Sequence, residues 1–338
     1  MKDIKVGVIG CGYWGPNLIR NFNDNVQTDM RYACDLIRAR IDSIQLKYPH
    51  VTVTQNYRDI LRDDTVDAVA IATPVSTHYK LVSEALRAGK HVFVEKPLAS
   101  RLSDAEKLVN LAAKQGLVLL VDHIFIYTSA IRKIKEYLTA GELGDMYYFD
   151  SVRINLGLFQ HDINVIWDLA PHDLATMDYL VDELPVSIVA TGSSHTASGF
   201  EDVAYVTLKF KGNLIAHFHV NWMSPVKIRR IIIGGSKKML VYDDLDPAEK
   251  IKIYDKGIIV TERDKPSIYQ SMIQYRVGDM YAPSIDNTEA LRTAVDHFAD
   301  CIKNGKQPVT DGMAGLRVVR MLEAASKSMK KGGVKVPV

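Results

Sequence analysis

The chain has 338 residues, of which 47% are hydrophobic and 24% charged, with a net charge of +2. That length suits about two domains, and the composition is that of an ordinary globular protein. The near-neutral balance, with no basic run interleaved with aromatics, excludes a nucleic-acid footprint, and no apolar run approaches the ~20 residues of a membrane helix.

The first 121 residues alternate strand and helix patterns. Strand-like runs are Ile4–Ile9, Met30–Cys34, Val51–Thr54, Asp67–Ala72, His91–Val94 and Leu117–Val121. Between them lie helical stretches marked by Leu18, Ile19 and Phe22, and later by Ser103 and Glu106, which read as a capping box. Such alternation predicts a doubly wound parallel sheet, an α/β Rossmann domain over residues 1–121. From 122 to 338 the pattern changes to a second, α+β domain. Helices are expected over Ser129–Leu138 and up to Leu180, and extended runs over Met146–Ile154, Val186–Thr191, Val203–Phe210, Leu214–Trp222, Ile228–Ile233, Met239–Tyr242 and Ile251–Tyr254. Lys211-Gly212-Asn213 reads as a hairpin turn, so this sheet is expected to be large, open and mostly antiparallel. Residues 262–285 look irregular, and helices over Asn287–Lys303 and Met313–Lys330 close the chain.

Gly10-Cys11-Gly12-Tyr13-Trp14-Gly15 follows the first strand and opens the first helix. In that context G-x-G-x-x-G cradles the pyrophosphate of a dinucleotide. The first glycine makes the turn, the second admits the phosphates, and the third lets helix pack on strand. The helix N-terminus then offers N–H donors and the positive end of its dipole. Asp35 ends the second strand about 20 residues beyond Gly15, where a carboxylate accepts from the adenosine ribose. It favours NAD by repelling a 2′-phosphate. Arg38 and Arg40 are near enough to keep NADP open.

Other strand ends also carry chemistry. Thr73 and Pro74 lie where a cofactor would pass, with His78 beyond them; a plain strand stop with Ser76 capping the next helix fits equally well. Glu95-Lys96-Pro97 ends the fifth strand, and proline keeps Lys96 extended there. Asp168 and His172 are four apart, on one side of a helix. Pro171 is tolerated in a first turn, which predicts a helix starting near it. His172 would then be held neutral by the dipole, and Asp168 could equally be a cap. His217 and His219 share a strand face without a matching carboxylate and read as polar sheet surface, so no metal site is expected. The cysteines Cys11, Cys34 and Cys301 form neither a CxxC pair nor a metal spacing, which points to a reducing compartment. Without a leader-like segment at Met1, the location expected is cytoplasmic.

Taken together, Gly10-x-Gly12-x-x-Gly15, Thr73-Pro74 with His78, Glu95-Lys96-Pro97, Asp168-x-x-x-His172 and Asp311-Gly312-Met313-Ala314-Gly315-Leu316 resemble the Gfo/Idh/MocA oxidoreductases over essentially the full length. The resemblance implies an NAD-dependent enzyme acting on CH–OH groups, with NADP not excluded. Lys96 would contact the reacting hydroxyl, His172 would be the general base or acid, Asp168 would hold substrate or orient His172, and Glu95 would lie near the nicotinamide ribose. The loop residues Tyr13 and Trp14, with Trp167 before the Asp-Leu-Ala-Pro-His run, look most like members acting on nucleotide-linked sugars. Arg153 and Asn155 are candidate substrate contacts, with equal standing as polar edge residues. Free-sugar or inositol dehydrogenation is the runner-up, and a dinucleotide-binding sensor without turnover the third reading. Homodimers or homotetramers built through the second sheet are expected, with no nucleic-acid or membrane partner.

Overall fold

A computed structural model of the protein describes residues 3–157, 163–196, 199–261 and 272–338. The chain forms two compact units, Met1–Thr128 with Thr288–Glu323, and Ser129–Asn287 with Ala324–Val338.

The first unit runs β1 (Ile4–Ile9), α1 (Gly15–Asp24), β2 (Thr28–Cys34), α2 (Arg38–Lys47), β3 (Thr52–Thr54), α3 (Tyr57–Arg62), β4 (Ala68–Ile71), α4 (Val75–Arg87), β5 (His91–Glu95), α5 (Leu102–Gln115) and β6 (Leu119–Asp122). All its strand pairs are parallel, in the order β3-β2-β1-β4-β5-β6. Helices cover both faces of such a sheet, so its central strands are apolar throughout rather than alternating. All of β4 is accordingly buried. The strand order reverses at β1, which lies between β2 and β4, and the crevice beyond the carboxyl ends at that point is where doubly wound sheets bind ligands. The expected capping box does not form. Arg101 is the N-cap of α5, and the N–H of Leu102 donates instead to the Glu323 carboxylate at 2.9 Å.

The second unit contains α6 (Ser129–Thr139), β7 (Met146–Leu156), α7 (Val165–Leu180), β8 (Ser187–Ser193), β9 (Val203–Lys209), β10 (Ile215–Asn221), β11 (Met223–Gly235), β12 (Met239–Asp243), β13 (Ile251–Tyr254), β14 (Gly257–Thr261), β15 (Met272–Arg276) and β16 (Met280–Tyr281). The closing elements are α8 (Ala290–Asn304), α9 (Gly312–Lys330) and β17 (Val336–Pro337). The large sheet has the order β16-β13-β12-β11-β7-β10-β9-β8-β17 and is antiparallel except where β7 meets β10. The Lys211-Gly212-Asn213 hairpin joins β9 to β10 as expected. The segment expected to be irregular contains β15, paired with β14, and β16; its residues 262–271 lie outside the described ones. Helix α7 packs on β7, β9 and β10 and buries Val165, Ile166, Ala170, Leu174 and Met177 there.

The units are not two uninterrupted stretches of sequence. Residues 288–323, read from the sequence as part of the second domain, pack with the first unit. Phe298 of α8 meets Phe22 of α1 and Phe93 of β5 edge-to-face, with centroids 6.2 and 5.6 Å away. Phe22 and Phe93 complete the triangle at 5.7 Å. Aromatic edges carry positive and faces negative charge, so this packing adds to the burial of three large rings. We predict that Phe298→Ala lowers unfolding free energy by roughly 3–5 kcal/mol, measured by denaturant titration; a loss under ~1 kcal/mol would mean α8 is not part of this core.

Candidate active site

The glycine loop has the geometry its motif requires. Gly10 has a φ of +99°, and a Cβ there would lie 2.5 Å from the Ala72 carbonyl oxygen. A Cβ on Gly15 would lie 2.0 Å from the Gly10 oxygen. Gly12 is different, since its Cβ would meet only Arg40 Nη1 at 3.7 Å. Two glycines therefore permit the turn, and the third leaves room over the backbone for phosphates. In the same loop, Tyr13 is exposed and Trp14 is the N-cap of α1, with no side-chain cap.

Asp35 is buried beside this loop. Its Oδ2 accepts from the Cys11 N–H at 2.8 Å and lies 3.3 Å from Arg40 Nη1, while Oδ1 accepts from the Ile37 N–H at 2.9 Å. Burial pushes the carboxyl up, but these donors together outweigh it and hold Asp35 below its ordinary value. Asp35 thus braces the glycine loop.

The end of β4 departs from expectation. His78 is buried and does not offer its ring to a ligand: Nδ1 lies 2.8 Å from the Pro97 carbonyl oxygen and Nε2 2.8 Å from that of Thr73. It ties the β4 exit to the turn after β5. The cofactor contact read for His78 is therefore corrected to a brace, and burial holds its pKa down. Thr73 Oγ1 meets Thr77 Oγ1 at 2.7 Å and Pro74 is the N-cap of α4, so Ser76 is not the cap.

At the ends of β5 and β6, Glu95 and Asp122 stand side by side in register, both buried, with their carboxyls within hydrogen-bonding reach. Burial raises both. Glu95 is pushed up to about 7 against the pull of Lys96, and Asp122 is raised well above its ordinary value by burial and by the Glu95 charge. His123, next in the chain, is buried with its pKa driven down to about 3 by burial, Lys96 and Arg317. The sequence reading missed Asp122 and His123. Its strand stopped at Val121, one residue short of the carboxylate that ends β6.

On α7, Asn164 is the N-cap, accepting from the Trp167 N–H at 3.2 Å. The helix thus starts six residues before Pro171, which lies inside it. Asp168 is not the cap, and His172 stands two turns in, beyond the reach of the dipole invoked for its neutrality. Asp168 Oδ2 instead accepts from the indole N–H of buried Trp222 at 3.1 Å, fixing that carboxylate one turn before His172. Trp167 donates to Ser326 Oγ at 2.8 Å. Arg153 is corrected from a substrate contact to a structural group: it is buried and makes a bidentate pair with Asp173, both bonds 2.8 Å. Asn155 is half-buried on β7. His219 stacks on Tyr205 at 4.4 Å, and His217 pairs with Thr207 Oγ1 at 3.0 Å. Among the described residues no three His, Cys, Asp or Glu side chains are grouped to hold a metal ion, and no helix is long and apolar enough to cross a membrane.

Residues 4–123 match the oxidoreductase family with an NAD-binding Rossmann fold, and residues 131–241 match the GFO/IDH/MocA C-terminal domain. The chain belongs to the Gfo/Idh/MocA oxidoreductases. It is 27% identical to UDP-N-acetylglucosamine 3-dehydrogenase of Acidithiobacillus ferrooxidans, covering 94% of this chain and 95% of that one. Identity to the myo-inositol 2-dehydrogenase of Thermotoga maritima is 24%, over 97% of each chain. The fold superposes on GenD2 from gentamicin A biosynthesis, a structure in complex with NAD, with a TM-score of 0.83 at 22% identity over 100% of this chain and 97% of that one.

For a Gfo/Idh/MocA oxidoreductase the first unit is the nicotinamide-cofactor domain, and its residues fit that cofactor. The open backbone at Gly12 would admit a pyrophosphate, and Asp35 would face the adenosine ribose. We predict that Asp35→Ala reduces the preference for NAD over NADP, read as the ratio of their dissociation constants by fluorescence titration. An unchanged ratio would assign Asp35 to bracing the loop alone.

Proposed function

We propose that this oxidoreductase transfers a hydride between nicotinamide and a secondary hydroxyl or ketone of a nucleotide-linked sugar. The reading is carried by the Asp168 carboxylate, anchored by Trp222 one helical turn before His172. A sensor without turnover has no use for a fixed carboxylate with an imidazole one turn along the same helix. Alcohol oxidation needs one, because the carbon releases hydride only as its hydroxyl loses a proton.

When bound, the nicotinamide supplies the hydride acceptor or donor. The chain supplies the rest. Unprotonated His172 takes the hydroxyl proton during oxidation and returns it during reduction. Asp168 orients that imidazole or holds the substrate. Lys96, half-buried at the end of β5, stabilises the developing alkoxide with its ammonium. Glu95 lies toward the nicotinamide ribose.

Support for a nucleotide-linked substrate comes from the relative named UDP-N-acetylglucosamine 3-dehydrogenase. The relative named myo-inositol 2-dehydrogenase favours a second reading, oxidation of a free polyol ring. Association into dimers or tetramers would use the face of the large sheet that bears Tyr205, His217 and His219.

The test is NADH formation, followed by absorbance, with panels of nucleotide sugars and of free sugars and inositols. Turnover confined to the free polyols would reject the nucleotide handle. With a substrate in hand, Lys96→Ala or His172→Ala is predicted to lower kcat at least ~100-fold with NAD binding nearly unchanged. Unaltered turnover would remove that residue from the mechanism.

A further inference from the structure

The buried acids at the ends of β5 and β6 exceed what proton transfer to and from substrate requires. Glu95 and Asp122 are register partners on adjacent parallel strands, 8% and 3% exposed. Among the described residues, Glu95 Oε1, Asp122 Oδ1 and both ring nitrogens of His123 have no conventional hydrogen-bond partner. Two buried carboxylates in contact cannot both stay ionised, and a proton held between them lets one donate to the other. A doubly wound sheet has two mononucleotide halves. The glycine loop and Asp35 occupy the half that takes adenosine and pyrophosphate, which leaves the carboxyl ends of β4, β5 and β6 for the nicotinamide riboside. The oxidised ring carries a positive charge and the reduced ring does not.

We propose that Glu95 and Asp122 form a single proton-sharing pair that reads the charge of the nicotinamide ring. The protonated Asp122 carboxyl donates to Glu95 and sets where Glu95 ionises. Below the midpoint both carboxyls are protonated; binding of the oxidised cofactor releases one proton to solvent and leaves the other shared between them, and binding of the reduced cofactor leaves both in place. Asp122 is thus a positioning residue, acting through Glu95. This rests on the oxidoreductase reading only in requiring a nicotinamide cofactor; it requires no particular substrate.

The charged and titratable groups facing the pair fit this role. Lys96, which follows Glu95, favours the ionised form of both acids. His123 after β6 and His78 on α4 are held neutral by burial, with Lys96 adding to the effect, and Arg317 of α9 acts on His123 in the same direction. Neither histidine therefore competes as the titrating group near neutral pH. A raised carboxyl favours the protonated state at low pH, so affinity for the oxidised cofactor should rise as pH rises through about 7.

The experiment is isothermal titration of the full chain with NAD+ and with NADH between pH 5.5 and 9, in buffers of different ionisation enthalpy, so that proton release is counted. For the unaltered protein, NAD+ affinity should rise about tenfold across the midpoint with release of up to one proton, while NADH affinity stays flat. Asp122→Asn, which keeps a donor for Glu95, should retain the midpoint. Asp122→Leu should move it to higher pH, and Glu95→Gln should abolish it. NAD+ binding that is flat with pH, a midpoint unmoved in Asp122→Leu, or a pH dependence surviving in Glu95→Gln would each overturn the proposal. The Gln variant keeps the test decisive if Asp122→Leu does not fold. Failure to bind either nucleotide would instead strike at the oxidoreductase reading.

Discussion

A Cβ on Gly15 would come within 2.0 Å of the Gly10 carbonyl oxygen, and one on Gly10 within 2.5 Å of the Ala72 oxygen. No side chain fits either place, so the turn from β1 into α1 can lie this close to the exit of β4 only with glycine at both. The rest of the first unit follows from that approach. It brings the N-terminus of α1 over the reversal in strand order and lets the Cys11 N–H reach Asp35 at 2.8 Å. It also leaves the backbone at Gly12 open, which is what makes the crevice a place for phosphates rather than a packed corner.

The polar groups along the same sheet edge show how burial is kept from unfolding the site. His78 is held between the carbonyls of Thr73 and Pro97. Asp35 takes two backbone N–H groups and faces Arg40. Glu95 and Asp122 lie in hydrogen-bonding contact beside Lys96, and burial favours the protonated form of each. The contacts of Asp35 keep its buried carboxylate partnered, which matters because an unpartnered buried polar atom costs about 1–3 kcal/mol. Arg153 and Asp173 solve the same problem in the second unit with a bidentate pair, whose rupture on one side would strand a buried charge.

The three residues proposed to carry the chemistry are tied down by different means. Asp168 is fixed by a tryptophan from the strand region after β10, and His172 by its place on a helix whose other face is buried. Lys96 is placed by the end of a strand and the proline after it. Trp222 and Lys96 each stand one residue beyond the end of a strand, so the sheets fix where these short connections lie.

The sequence alone determined whatever depends on local backbone or on short-range spacing. Glycine conformational freedom made the dinucleotide loop legible at Gly10, Gly12 and Gly15. Strand–helix alternation revealed the parallel sheet, and a separation of four put Asp168 and His172 on one side of a helix. Only the tertiary structure decided which polar residues face a ligand and which hold the protein together. Arg153 looks like a binding residue until Asp173, 20 positions away, is brought against it. His78 looks available until two carbonyls close on its ring. Residues 288–323 join the first unit through Phe298, and α7 starts at Asn164 rather than near Pro171. The physical reason is the same in each case: a side chain's role is set by what packs against it, and those partners are distant in sequence.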